Sequence, residues 1–159
     1  MHYYIDGYNW LFRTPKSKLS FEERRREFVK EIYELVKDSS SLITLVFDSS
    51  DPSRDLYSKG NFKTLEIVFT PKKQTADEYI IESVGRAKHP HTIYVVTLDR
   101  ELKDKCRLLG ASVLSMKEFF MQFSKSSPKK ETKKIYFDSK SQLERLLAIF
   151  EKRLKEDQE

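Results

Sequence analysis

The sequence predicts an α/β protein, a mainly parallel sheet with helices on both faces, and three observations carry that expectation. Short, continuous apolar runs alternate with amphipathic helical patterns over residues 1–123. Runs of that kind suit strands buried on both faces, and their alternation with helices is what crossover connections require. Third, Asp6, Asp48 and Asp99 each stand at or just past the end of an apolar run.

The chain opens on the buried run His2, Tyr3, Tyr4 and Ile5, which stops at Asp6-Gly7, a pair poorly suited to a ladder. Asp6 either opens an Asx-turn that Asn9 closes, or is held by a bound cation. A polar, basic connection, Arg13 to Lys18, follows. Ser20-Phe21-Glu22-Glu23 then reads as a capping box, starting a helix with Phe28, Ile32, Leu35 and Val36 on one face. Its Arg24, Arg25 and Arg26 read as a solvated face. Leu42–Phe47 is the second strand, ending before Asp48. Residues 49–62, with Pro52 and Gly60, read as a long exposed loop, and Leu65–Phe69 as the third strand.

Thr75-Ala76-Asp77-Glu78 is a second capping box, with Thr75 as N-cap and Ile80, Ile81, Val84 and Ala87 as the buried stripe. The fourth strand, Thr92–Thr97, leads to Asp99. A helix from Arg100 to Leu109 closes at Gly110, where a left-handed cap is favoured. Ala111–Leu114 is the fifth strand, and Ser115-Met116-Lys117-Glu118 caps a helix bearing Phe119, Phe120 and Phe123. The expected organisation is one domain over residues 1–123, a Ser- and Lys-rich linker over 124–138, and an amphipathic C-terminal helix over 139–159.

Composition excludes several classes. The net charge is +5 with a pI near 9.1, which suits a polyanionic partner without demanding one. The single cysteine, Cys106, allows no internal disulfide and reads as a small core residue. No apolar window is long enough for a membrane span, and no secretory leader is visible, so a cytoplasmic protein is expected. No Gly-x-Gly-x-x-Gly turn or Gly-x-x-x-x-Gly-Lys loop follows any strand, which disfavours dinucleotide and P-loop chemistry.

Parallel strands present their C-terminal ends on one edge, where ligands bind at the switch in strand order. Asp6, Asp48 and Asp99 belong to that edge, and the helix after the third strand delivers Asp77 to it. Carboxylates gathered so closely raise one another's pKa unless a cation compensates. Oxygen-only donors point to Mg²⁺ or Mn²⁺, whose usual task at such a site is phosphoryl chemistry.

The motifs Tyr4-Ile5-Asp6-Gly7-Tyr8-Asn9, Val46-Phe47-Asp48, Thr75-Ala76-Asp77-Glu78-Tyr79-Ile80 and Val95-Val96-Thr97-Leu98-Asp99-Arg100 resemble, in order and spacing, the NYN domain of the YacP-like family, a branch of the PIN-like nucleases. The resemblance covers Met1 to about Phe123. It implies a Rossmann-like, five-stranded sheet and a metal-dependent endoribonuclease whose bacterial relatives act on mRNA at the ribosome. Carried over by position, Asp6, Asp77 and Asp99 would be catalytic and metal-binding, with Asp48 a nearby acidic ligand. Asn9, Thr97 and Thr75 would support them. The chain departs from the family pattern at Leu98, where a small polar residue is usual, and at Ser49-Ser50, where a Gly-containing turn is usual.

Basic residues on loops of the same edge would hold RNA phosphates: Arg54, Lys72 and Lys73 first, with Arg13 and Arg100 beside them. Trp10, Phe12 and Tyr57 are either core aromatics or stacking platforms for unpaired bases. His89 and His91 fall at the opposite edge. Two other readings stand beside the ribonuclease: an RNA- or ribosome-binding module with little catalysis, and a metal-dependent phosphatase or DNA-directed nuclease.

Overall fold

A computed structural model describes residues 1–13, 18–48, 58–62 and 64–126, with only the backbone at 13, 58–62, 125 and 126. The elements run β1 (His2–Asp6), α1 (Gly7–Arg13), α2 (Phe21–Val36), β2 (Leu42–Phe47), β3 (Ser58–Phe62), β4 (Leu65–Phe69), α3 (Ala76–Arg86), β5 (Ile93–Val96), α4 (Arg100–Leu108), β6 (Ser112–Leu114) and α5 (Met116–Ser126). Among the described residues they form one six-stranded sheet in the order β3-β4-β2-β1-β5-β6. Five strands are parallel, as the apolar runs require, and β3 pairs antiparallel with β4 at one edge.

Helices cover both faces. On one, Phe28, Val29, Ile32 and Val36 of α2, Leu11 of α1, and Phe119 and Phe123 of α5 pack on Tyr3, Ile5, Ile43, Leu45 and Phe47. On the other, Ile80 and Val84 of α3 and Leu102 and Cys106 of α4 pack on Tyr4, Val46, Val68 and Val95. Alternate residues of one strand thus enter different cores, which is why each run is apolar almost throughout, the buried exceptions Thr44 and Glu66 being hydrogen-bonded to each other across β2 and β4. The capping boxes at Ser20 and Thr75 form as expected, and Ser115 exchanges the same reciprocal bonds with Glu118. Gly110 adopts φ 94°, the left-handed cap.

Three expectations are corrected. Residues 58–62 are not loop but edge strand, because β4 offers an open main-chain ladder that a Lys-Gly-Asn sequence of weak strand propensity can still pair with. Gly7 is not a turn residue but the first residue of α1. A Cβ there would stand 2.2 Å from Cε1 of Phe47, so glycine is needed for the helix to rest on that ring. Arg24, Arg25 and Arg26 are not a solvated face. Arg25 is 8% exposed and its Nη1 donates to the Tyr8 hydroxyl at 3.0 Å, while Nη2 of Arg24 donates to the Leu11 carbonyl. α2 is therefore basic on part of its buried side, where α1 supplies oxygen acceptors. α5 runs to Ser126, and the remainder of the expected linker and the C-terminal helix lie outside the described residues.

The connections fix the functional edge. β1 lies between β2 and β5, and the chain reaches β2 through α2 but crosses to β5 through α3. The order therefore switches at β1/β5, and the crevice beyond their C-terminal ends is the expected ligand position. His89 and His91 flank the start of β5, at the opposite edge.

Candidate active site

Asp6 is both the last residue of β1 and the N-terminal cap of α1. Its Oδ1 accepts the Asn9 N–H at 3.3 Å, and the residue is only 7% exposed. Burial lifts its carboxyl from the ordinary 3.8 to about 7, the Asn9 N–H opposes the rise, and the charges of Asp77 and Asp48 add to it. The Asp6 and Asp77 side chains also interact with each other, which raises the Asp6 pKa and lowers that of Asp77.

Asp77 is brought there by the capping box at Thr75. Thr75 Oγ1 accepts the Glu78 N–H at 3.1 Å and Glu78 Oε2 accepts the Thr75 N–H at 3.0 Å, which starts α3 and leaves Asp77 in its first turn. Burial raises the Asp77 pKa, and the charges of Asp99, Asp48 and Glu101 raise it further. Asp48, just past β2, accepts the Ala76 N–H, tying the β2 end to the start of α3. Its pKa is raised by burial, against that hydrogen bond, with the Glu78 charge adding.

Asp99 caps α4, its Oδ1 accepting the Leu102 N–H at 2.9 Å. Thr97 Oγ1 accepts the Asp99 N–H at 3.1 Å and sets the turn that precedes the cap. Asn9 does more than follow Asp6: its side-chain Oδ1 accepts the Leu98 N–H at 3.1 Å. A bond to the Leu98 backbone does not depend on that side chain, so the departure at Leu98 leaves the link intact. A small cavity is lined by Asp6, Asn9, Trp10, Val96, Thr97, Leu98 and Met116.

All four predicted aspartates thus share one edge and one electrostatic field. None is in an ion pair among the described residues. Uncompensated, oxygen-only and partly desolvated, this donor set fits a hard divalent cation. Yet no three of the described His, Cys, Asp or Glu side chains already stand in a metal-holding arrangement. Asp6, Asp48 and Asp99 each accept a backbone N–H on one oxygen.

Of the basic candidates, Lys72 and Lys73 lie exposed in the turn after β4, and Arg100 is exposed at the start of α4, all on this edge. Arg54, the Arg13 side chain and Tyr57 fall outside what is described. Three charges escaped the sequence reading. Glu78 and Glu101 add negative potential, and the ammonium of Lys105, paired with Glu101 at 2.6 Å, feels Asp77 and Asp99. The Glu101–Lys105 spacing of four was the available signal.

Comparison with known proteins agrees with the fold. The model of the YacP-like NYN domain matches residues 3–158. The crystal structure of a mutant of Rae1 (YacP) from Bacillus subtilis is similar at TM-score 0.60 and 25% identity, covering 78% of this chain and 75% of that one. A second Rae1 (YacP) structure from Bacillus subtilis has TM-score 0.60 and 20% identity, covering 96% of this chain and 83% of that one. No curated protein matches. With the family model spanning nearly the whole chain, and a switch-point crevice edged by aspartates beneath it, this protein belongs to the YacP-like NYN domain family, of PIN-like nuclease type and RNA-related function.

Proposed function

We propose that the chain is an endoribonuclease that cleaves single-stranded RNA with Mg²⁺ or Mn²⁺, that its substrate is mRNA, and that it acts in the cytoplasm, on the ribosome. One observation carries the catalytic part: buried Asp6 and half-buried Asp77 face the same edge as Asp48 and Asp99, and among the described residues no ion pair relieves these charges. mRNA and the ribosome rest on the family resemblance.

Asp6, Asp77 and Asp99 would hold the cation, with Asp48 beside them. When bound, such a cation lowers the pKa of a water and neutralises charge gathering on a phosphodiester. The chain's own residues do the rest. Asn9 and Thr97 hold the Asp99 turn in place through main-chain bonds. Thr75 and Asp48 fix the first turn of α3, and with it Asp77. Lys72, Lys73 and Arg100 stand where an RNA backbone would approach the acidic edge, and each phosphate contact steepens the salt dependence of binding.

A second reading has one observation in its favour. Because no three donors among the described residues stand in a metal-holding group, the fold fits an RNA- or ribosome-binding module with little cleavage as well. Cleavage of RNA by the wild type and by Asp6→Asn, each with and without Mg²⁺ or Mn²⁺, separates the two. Cation-dependent cleavage lost in Asp6→Asn supports the nuclease. Equal activity in both proteins ends the catalytic reading, and binding without cleavage by either supports the module. Adding ribosomes to the same assay tests the place of action.

A further inference from the structure

We propose that the groove between α1 and α5 is a nucleobase subsite, in which an unpaired RNA base next to the cleaved bond lies against Trp10, Phe120 and Met121. The inference rests on the ribonuclease reading and extends it to how the strand is gripped.

The groove encloses about 500 Å³ and is lined by Trp10, Lys117, Phe120, Met121 and Ser124. That volume lies within the range of small-molecule sites, roughly 300–1,000 Å³. Its floor is almost wholly apolar, and Met121 on its wall is 47% exposed. The Trp10 ring is tilted against two others, with centroids 6.3 Å from Phe28 and 6.2 Å from Phe120.

Position selects the occupant. Trp10 also lines the small cavity bordered by Asp6, Asn9, Thr97 and Leu98, so one residue adjoins both spaces. A ligand held at the aspartates and continuing past Trp10 enters the groove. Lys117 also lines it and forms no ion pair among the described residues. The aromatic and apolar lining, the Lys117 ammonium and the Ser124 hydroxyl match the three parts of a nucleotide: a base to stack, a phosphate to neutralise and a base edge to hydrogen-bond. Double-stranded RNA offers no free base face, so the subsite would select single strands.

Trp10 is the sole tryptophan of the chain, which makes its emission a direct reporter. The full-length wild type, kept without divalent cation so that RNA is bound and not cut, is titrated with an unstructured oligoribonucleotide. The same titration is run with an abasic ribose-phosphate chain of equal length. RNA should quench Trp10 and the abasic chain should not, and it should bind more weakly by about 5- to 100-fold, as loss of a stacked base requires. Met121→Glu, at an exposed wall position that spares the core, should weaken RNA binding in the same range and leave the thermal midpoint in place. Trp10→Leu tests the anchor itself, with far-UV circular dichroism as the check on folding.

RNA that binds with no change in Trp10 emission, or an abasic chain that binds and quenches equally, overturns the subsite while leaving the ribonuclease reading intact. Sedimentation showing a dimer that Met121→Glu dissociates would make the groove a contact between copies, and also overturns it. Failure of the underlying reading looks different: neither RNA binding by anisotropy nor cleavage with Mn²⁺.

Discussion

Oδ1 of Asn9 accepts the Leu98 N–H at 3.1 Å across 89 residues of sequence, and the same residue's own N–H bonds Asp6. One residue near the start of α1 therefore links the Asp6 carboxylate at the end of β1, through its main chain, to the Asp99-bearing turn after β5, through its side chain. Asn9→Ala would leave the half-buried Leu98 N–H without its acceptor. It should cost about 1–3 kcal/mol in a urea titration. Cation affinity or cleavage should fall by about 10- to 100-fold, as for other residues that orient ligands. Asn9→Asp keeps an acceptor and should retain more stability than Asn9→Ala. Unaltered cleavage by Asn9→Ala would show that the Asp99 turn holds itself.

The close approach of Gly7 and Phe47 makes a second prediction. An alanine Cβ at position 7 would sit 2.2, 2.6 and 2.8 Å from three atoms of the Phe47 ring, which is itself fully buried and stacked on Phe69. The ring has little room to retreat, so Gly7→Ala should destabilise by about 1–3 kcal/mol as overpacking. Gly7→Ala/Phe47→Leu opens space for the methyl group and should recover part of the loss in thermal melts. A Gly7→Ala protein as stable as wild type would show that Phe47 moves freely.

Much of this arrangement is legible in the sequence, for identifiable reasons. Strands buried on both faces need nearly continuous apolar runs, and Leu42–Phe47 and Leu65–Phe69, each with a single polar residue, show that pattern. Capping boxes are local chemistry, and those at Ser20, Thr75 and Ser115 all form. Parallel topology then carries the aspartates to one edge without further information. What escaped is non-local. α1 is a seven-residue helix packed through Tyr8 and Leu11, and its Asp-Gly start looks like a turn until Phe47 is known to lie beneath it. β3 exists through main-chain pairing with β4, which Ser58-Lys59-Gly60-Asn61 does not advertise. The dual role of Asn9 needs a partner 89 residues away, which no local pattern encodes.

Arg25 is a buried cation held by neutral groups. Its guanidinium donates to the Tyr8 hydroxyl at 3.0 Å and lies 5.3 Å from the centre of the Phe69 ring. A charge desolvated without a carboxylate partner contributes little net stability, but removing one member of the pair strands the other. Arg25→Met should therefore cost about 1–2 kcal/mol, chiefly through the Tyr8 hydroxyl left buried. Arg25→Met/Tyr8→Phe, with both polar groups gone and the volume nearly kept, should return to within about 1 kcal/mol of wild type or exceed it. A double variant much weaker than the single ones would show that the charge itself stabilises the fold.

Asp6 makes the cation-free protein sensitive to pH in a direction fixed by its shift. Its folded-state pKa of about 7 exceeds the ordinary 3.8, so between those values the folded chain binds more protons than the unfolded one. Its contribution to stability is full below the lower value and is lost as pH rises to the upper one, by at most about 4 kcal/mol at roughly 1.4 kcal/mol per unit. Asp48 and Asp77 are raised as well and act in the same sense. In chelator, the wild type should melt at a lower temperature at about pH 8 than at about pH 5, and Asp6→Asn should flatten that slope and melt higher at about pH 8. A divalent cation needs the ionised carboxylates. It should therefore restore the wild type at the higher pH, by about 2.7 kcal/mol at a hundredfold excess over Kd, and do little for Asp6→Asn. A wild type whose melting point neither falls with pH in chelator nor rises with Mg²⁺ or Mn²⁺ would mean that the aspartates are relieved by something other than a bound ion.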